Sequence, residues 1–563
     1  MMPARPWLRL YGEVPADPPV PEDTLYEALA SAAGANPRRT ALVYLGRRIT
    51  YRELLDAVDR CAAALVARGL APGDSVMLSL PNVPNAVILF YAVNRIGARA
   101  VMTHPLSSPA ELRHYLQQTH STWAVAMDLF FGRVAEAIAD TDVTTLLVCR
   151  FSDYLSHAKK VGFVVTRGRK IPPVPTGDPR ILAWRTLLKG VSRPRTYERA
   201  SDPTGSDLVL FSGGTSALPK GIDLSSRNVN ALAAAMIAIT GMVPGNSVLA
   251  ILPVFHGFGL GLCIHTPLTI GATSILVPEF SAKIYIDNLI AYRPSYIAGV
   301  PTLFQALLAD PRFRKVSFSR LRGAYSGGDS LSSALKARVD AALAAQGSRV
   351  ELMEGYGLTE CVTACTVSPP GRYREDSVGI PIPGMSVKVA DAEGHELAYG
   401  QEGELCVTGP TLMRGYLNDP EATSATLRQE GETTWLRTGD VGTMDADGYV
   451  FFKGRTKRII KVSGVSVYPA QVEQVLEAHP GVRRACVIGV PDEYQMASVL
   501  AFVVPFDVGV DRDALRTDLL AHCTAHLMRW AVPRSIEFRD DLPTTLVGKI
   551  AYTELEREVA RTS

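Results

Sequence analysis

Thr50 opens a stretch in which apolar residues recur at helical spacing, with Leu54, Leu55, Val58, Ala62, Leu65 and Val66 on one face. Residues 50–53 (TYRE) have the Thr-x-x-Glu form in which a hydroxyl and a carboxylate cap the first turn reciprocally, and Gly69 supplies a stop. The pattern then switches. Residues 75–80 (SVMLSL) form a continuous apolar run of strand length. Residues 84–97 (PNAVILFYAVNRIG) open on Pro and close on Gly, as helices do, and 98–103 (ARAVMT) return to strand. Alternation of this kind through the first half predicts an α/β fold, a parallel or mixed sheet covered by helices. After Gly454 the chain reads as a small α+β unit: IIKVSGVSVYP, a helix over PAQVEQVLEA, strands at RACVIGV and VLAFVVP, a helix from about Arg512, and a loop around Gly548.

The most apolar stretch, 247–280, is long enough to suggest a membrane span. Pro253, His256, Gly257, Gly259, Gly261, His265, Pro267 and Gly271 interrupt it, which predicts buried strands and loops instead. At 563 residues the chain has room for about three or four folding units in one or two lobes. With 58 Lys+Arg against 56 Asp+Glu there is no net electrostatic pull on nucleic acid.

The eight cysteines lie in apolar segments without a C-x-x-C pair, as buried thiols in a reducing cytoplasm would. Cys361 and Cys365 would share a face on a helix but have no neighbouring His to complete a metal site. The Pro-rich N-terminus lacks the apolar core of a signal peptide, so a cytoplasmic protein is expected. Lys159, Lys160, Arg167, Arg169 and Lys170 cluster before a Pro-rich piece. They read as a solvated surface excursion, or alternatively as a basic patch in peripheral contact with an anionic membrane surface that supplies a lipid substrate.

The first chemical signal is SGGTSALPKG, Ser212 to Gly221, directly after the apolar run 207–211 (DLVLF). Glycines beside hydroxyl residues let backbone N–H groups and side-chain oxygens close around phosphate, and Lys220 adds positive charge. A P-loop would need GxxxxGK[ST], whereas Lys220 follows Pro219 and precedes Gly221. SGGDSL (326–331), GYGLTE (355–360), WLRTGD (435–440), GRTKRIIKVSGVSVYPAQVE (454–473) and LVGKI (546–550) follow in that order. With these ordered motifs the chain resembles, over nearly its whole length, the adenylate-forming superfamily of acyl-CoA synthetases, peptide-synthetase adenylation domains and firefly luciferase.

The resemblance implies a large N-terminal α/β lobe of several subdomains over 1–454, a hinge at 455–457 and a small mobile C-terminal α+β domain over 458–563. It implies that Ser212, Gly213, Gly214, Thr215, Ser216 and Lys220 hold the β- and γ-phosphates of ATP. Thr359 would contact the α-phosphate, and Glu360 with Thr215 would bind Mg2+. The adenine would lie against Tyr356 and the backbone of Gly327, Gly328 and Asp329. Asp440 would accept the ribose hydroxyls and Arg455 would touch the same sugar. Lys549 corresponds to the lysine that stabilises charge developing on the carboxylate and α-phosphate.

His256 and Phe258, in FHGFGLG, would lie beside the bound carboxylate, and the acyl pocket would continue along Gly299, Val300, Pro301, Thr302 and Gly327. Lys457 holds the hinge position, while Lys461 and Gly464 lie in the segment expected to meet the pantetheine of CoA. Five positions depart from the family pattern: Ala217 for a glycine of the phosphate loop, Ser225 and Ser226 for a Thr-His pair, and Thr544 and Tyr552 for basic residues near the lysine.

The expected reaction joins a carboxylic acid to ATP as acyl-AMP and then to CoA, with a medium- or long-chain fatty acid favoured. The pocket segments offer no charged partner for an α-amino group, which argues against amino acids. The alternatives are an acyl-AMP ligase that loads a separate acyl carrier protein, an aryl-acid CoA ligase, luciferase-type oxidation, and a scaffold without activity.

Overall fold

The structure, a computed structural model, describes residues 5–562 except 167, 169, 170, 172, 176, 192–201, 212–218, 280, 493, 494, 508, 546 and 547. Arg167, Arg169 and Lys170 of the basic cluster, and Ser212, Gly213, Gly214, Thr215, Ser216 and Ala217 of the phosphate-loop motif, therefore lie outside the described residues.

The reciprocal cap forms as expected: the Thr50 hydroxyl accepts from Glu53 N–H while the Glu53 carboxylate accepts from Thr50 N–H, opening the helix Tyr51–Val66. Strands Ser75–Ser79 and Arg99–Met102 flank the helix Pro84–Ile96 and pair in parallel, Val76 opposite Ala100. That helix is buried along its whole length, which explains why its sequence is apolar on every side rather than along one stripe.

Among the described residues this unit belongs to an eight-stranded sheet, and a nine-stranded sheet shares one hydrophobic core with it. At the middle of the nine-stranded sheet, Ser247–Ala250, Tyr296–Gly299, Gly323–Gly327 and Leu352–Tyr356 run parallel. Gly299, Gly327 and Tyr356 stand at their carboxyl ends, where open α/β sheets collect ligands. A smaller antiparallel sheet carries Thr433–Met444 beside Val450–Arg455.

Between 247 and 280 the outcome differs in part from the sequence reading. Strands form at Ser247–Ala250 and Thr273–Leu276, but the middle is a π-helix, Phe258–His265, whose end is marked by Thr266 N–H bonding to Gly261 O five residues back. Its glycines are needed for contact: a Cβ at Gly257 would stand 1.7 Å from Val362 O, and one at Gly259 would stand 2.1 Å from Pro253 O.

Residues from Ile460 onward enclose a core of their own, built on the helices Pro469–Ala478 and Arg512–His526 and a three-stranded sheet. The chain passes from one unit to the other over a very short span. Arg455 still pairs in register with Asp440 of the large unit, whereas Arg458 bonds Glu473 and stacks 4.2 Å over Tyr552 in the small one. All eight cysteines are buried and free. Cys361 ends the short helical turn Thr359–Cys361 and Cys365 lies in irregular chain beyond it, so the two share no helix. No described helix is long and apolar enough to cross a membrane.

Candidate active site

A cavity of ≈ 1140 Å³ lies over the carboxyl ends of the central strands and reaches the small unit. Among the described residues, members of the motifs expected to hold nucleotide line it together. Asp440, only 2% exposed, comes from the strand Thr433–Met444; its Oδ2 accepts from the Tyr356 hydroxyl at 2.7 Å and its Oδ1 faces Arg455 Nε at 3.2 Å without a hydrogen bond. Burial raises the Asp440 pKa, with Arg455 opposing, and drives the Tyr356 phenol well above its ordinary range. A buried carboxylate oxygen with no donor is costly in isolation and suits a ligand bearing hydroxyl groups.

Thr359 and Glu360 occupy a short helical turn after the strand Leu352–Tyr356, and both line the cavity. Glu360 accepts from the Tyr416 hydroxyl at 2.9 Å. Lys220 lines the same cavity, 3.4 Å from Asp419 and 4.8 Å over the Tyr416 ring. Val362 follows with a φ of 63°, a strained conformation for a β-branched residue, and its carbonyl is the atom that requires Gly257.

Gly327 and Gly328 form the cavity wall where the loop after Gly323–Gly327 turns, Gly328 with a φ of 85°. A Cβ at Gly328 would lie 3.5 Å from Lys549 Cε, so the small unit's lysine enters beside this turn. Among the hydrogen bonds between the units, Thr302 Oγ1 donates to Gly548 O at 3.1 Å and Gln305 Nε2 donates to Arg483 O at 2.6 Å, while Tyr468 and Gln474 donate to Glu402 and Asp376. Burial lowers the Lys549 pKa, and Asp329 is the strongest opposing influence.

His256 and Phe258 border the next part of the cavity. Burial, reinforced by Lys549, pushes the His256 pKa down to about 3, so the ring is neutral at physiological pH. Its Nδ1 accepts from Phe258 N–H at 3.2 Å, which leaves the proton on Nε2. Beyond Phe258 an apolar branch runs between the helix Ser226–Thr240, the π-helix and the sheet, lined by Met236, Met242, Leu262, Cys263 and Ala298.

The remaining expected residues are distributed as follows. Lys457 lines the cavity with Arg455. Asp329, Pro301 and Thr302 line a second cavity between the two units, and Gly299 packs where a Cβ would meet Leu303 at 2.7 Å. Lys461 and Gly464 lie on the hairpin Ile460–Val462/Val465–Val467, outside both cavity linings in this arrangement, with Lys461 Nζ 2.6 Å from Ser466 Oγ. Positive φ at Ser463 and Gly464 fits the two-residue turn of that hairpin. Sequence reasoning missed Tyr416, which joins Glu360 to Lys220, and the methionines of the apolar branch. Met236 sits among the apolar residues of the helix Ser226–Thr240 and Met242 just beyond it, as ordinary core residues do, so nothing local distinguishes them.

One profile of known proteins, that of the AMP-binding enzyme, matches residues 29–417, and its C-terminal domain profile matches 471–549. The chain belongs to the AMP-binding enzyme family. It is an adenylate-forming CoA ligase, an AMP-forming acid–thiol ligase that uses ATP, Mg2+ and CoA. The ligase is 31% identical to a long-chain-fatty-acid–CoA ligase of Bacillus subtilis (strain 168), over 99% of each chain. It is 33% identical to one of Yersinia pestis over 98% of each. It superposes on an anthranilate CoA ligase solved with anthranoyl-AMP at a TM-score of 0.84 and 25% identity, covering 96% of this chain and 99% of the other.

The donor set suits Mg2+ held largely by phosphate oxygens and water: the described residues contain no cluster of three or more His, Cys, Asp or Glu that could hold a metal, but the Glu360 carboxylate stands in the cavity beside the Thr359 hydroxyl.

Proposed function

We propose that this ligase activates a medium- or long-chain fatty acid as its acyl-AMP and transfers the acyl group to CoA. The observation that carries the reading is an apolar branch opening beside His256 in the same cavity that Asp440, Arg455 and Lys549 enter from two units. The names of the Bacillus and Yersinia relatives support a fatty acid, and each methylene buried in such a branch contributes about 0.8 kcal/mol.

In the first step Asp440 receives the ribose hydroxyls with its undonated Oδ1, while Tyr356 and the wall at Gly327 and Gly328 flank the adenine. Lys220 and Thr359 attract phosphate oxygens, together with Ser212, Thr215 and Ser216. Neutral His256 donates its Nε2 proton to the acid's carboxylate and aims it, without acting as a base. Lys549 places its ammonium where negative charge grows between carboxylate and α-phosphate. Glu360 and Thr215 would hold Mg2+, which when bound would supply positive charge to the departing pyrophosphate.

For the second step Lys549 must withdraw. The short passage 455–457 between the two units serves as the hinge, with Lys457 at its centre, and rotation brings Lys461 and Gly464 toward the thiol. AMP release by purified protein across fatty, aryl and amino acids, with and without CoA, tests the reading. The expected result is CoA-dependent turnover of fatty acids; turnover confined to aryl acids, the class named for the superposed structure, would overturn the substrate. Acyl-AMP formation without thioester on free CoA would transfer the acceptor to a carrier protein.

A further inference from the structure

The floor of the apolar branch is one face of the nine-stranded sheet. Parallel pairing sets Ala298 beside Tyr325, Tyr296 beside Gly323 and Gly327 beside Gly355, so these residues share a face. The floor therefore starts with small residues near the site, Gly327, Gly355 and Ala298, and ends at two tyrosines. The two differ in their bonding. The Tyr296 hydroxyl donates to Thr240 O at 3.1 Å and closes one side of the branch. The Tyr325 hydroxyl makes no hydrogen bond among the described residues, and the partly buried setting of the ring drives its pKa upward.

Tyr325 is seated by design of the strand. Its ring lies back along the floor over Gly323, where a Cβ would stand 2.7 Å from Cε2 and 3.0 Å from the hydroxyl, so any larger residue at 323 would evict it. Part of Tyr325 remains open to the cavity it lines. A phenol that faces the cavity, with its hydroxyl unpaired among the described residues, is placed to bond a polar group on a ligand that enters there. Gly323 is four residues down the strand from Gly327, about 13 Å at roughly 3.3 Å per residue, which sets the hydroxyl at the depth reached by the far half of a medium-length chain.

We propose that Tyr325 is a specificity-determining residue that hydrogen-bonds a hydroxyl or oxo group on the distal half of the acyl chain. The preferred substrate is then an oxygenated medium-chain acid rather than the plain alkanoate. This rests on the reading of the branch as the acyl pocket. A phenol both donates and accepts, so either oxygen function satisfies it; a methyl or methylene at the same depth leaves it unpaired.

The test measures kcat/KM for AMP release with octanoate, decanoate and dodecanoate and with their distal and terminal hydroxy and oxo derivatives, for the native ligase and Tyr325→Phe. The native ligase should prefer the best-placed oxygenated acid by about tenfold or more, and Tyr325→Phe should abolish or invert that preference while sparing turnover of the plain acid. An unchanged ranking in Tyr325→Phe, or a native preference for plain acids, overturns this inference alone. Absence of turnover with every acid of both series in the native ligase overturns the fatty-acid reading and this inference with it. The ring is retained in Tyr325→Phe, and a thermal melt matching the native one confirms that the comparison is between folded proteins.

Discussion

Lys549 reaches the cavity beside Gly328 from a unit with its own hydrophobic core, so its contribution is conditional on how the two units dock. Burial makes its ammonium costly, and Asp329 and Asp440 are the groups that favour the charge. Lys549→Ala should lower pyrophosphate exchange into ATP by about 10²–10³ while leaving thioester formation from supplied acyl-AMP within a few fold. Equal loss in both assays would contradict a role limited to the first step.

At this scale much of the site was legible. Arg455, Tyr356, Glu360, Thr359 and Lys549 are given away by short motifs because each sits on a turn or strand end, where local residue types dictate the backbone; Asp440, inside the strand Thr433–Met444, follows the left-handed Gly439 of its motif. Tyr416 and Met236 were not legible, because their roles come from what lies across the cavity, a relation between distant segments that local pattern does not record. The bonding of His256 was likewise hidden, since only the fold brings Lys549 against it and fixes its tautomer.

Among elements, the π-helix Phe258–His265 does most to shape the acyl branch. It supplies Phe258, Leu262 and Cys263 to the lining, and its glycines allow close approach, Gly257 and Gly259 against neighbouring backbone and Gly261 against the Leu232 side chain. Gly257→Ala sets a methyl group against the carbonyl of Val362, itself already strained. Urea unfolding of that variant should register a loss of about 3 kcal/mol or more; a stability within about 0.5 kcal/mol of the native value would mean the loop relaxes freely. Apolar, glycine-rich sequence is ambiguous between buried strand and buried helix, which is why periodicity alone favoured strands and loops here. By contrast the unit from Thr50 to Thr103 was legible almost residue by residue, because a cap, a proline start and a glycine stop all agree with the apolar pattern.

The whole molecule adds a proton-linked term to docking. Glu477, on the helix Pro469–Ala478, and Glu354, on the large unit, line the same cavity of ≈ 750 Å³ between the units. Burial raises Glu477 to about 7, with Glu473 and Asp329 adding to the rise and the Ala485 N–H and Arg484 opposing it; burial raises Glu354 to about 8, with Asp376 and Asp329 adding and the Leu331 N–H and Lys336 opposing. Both retain protons in the docked state that they would lose in water. Their contribution to stability is therefore whole below the ordinary value of 4.5 and is lost as pH rises through about 7 and about 8. Glu477→Gln keeps an acceptor for Ala485 N–H but cannot ionise. Its melting temperature should fall less than the native one between about pH 5 and about pH 8; parallel curves would remove Glu477 from the linkage.

The two hydrogen bonds from Thr302 and Gln305 end on main-chain oxygens, those of Gly548 and Arg483. On the receiving side such a joint asks for the path of the backbone, not for particular side chains. At these two contacts residue 483 could drift through evolution without loosening the latch, whereas Thr302 and Gln305 must keep their side chains; Tyr468 and Gln474, which donate to Glu402 and Asp376 across the same joint, add side-chain demands of their own.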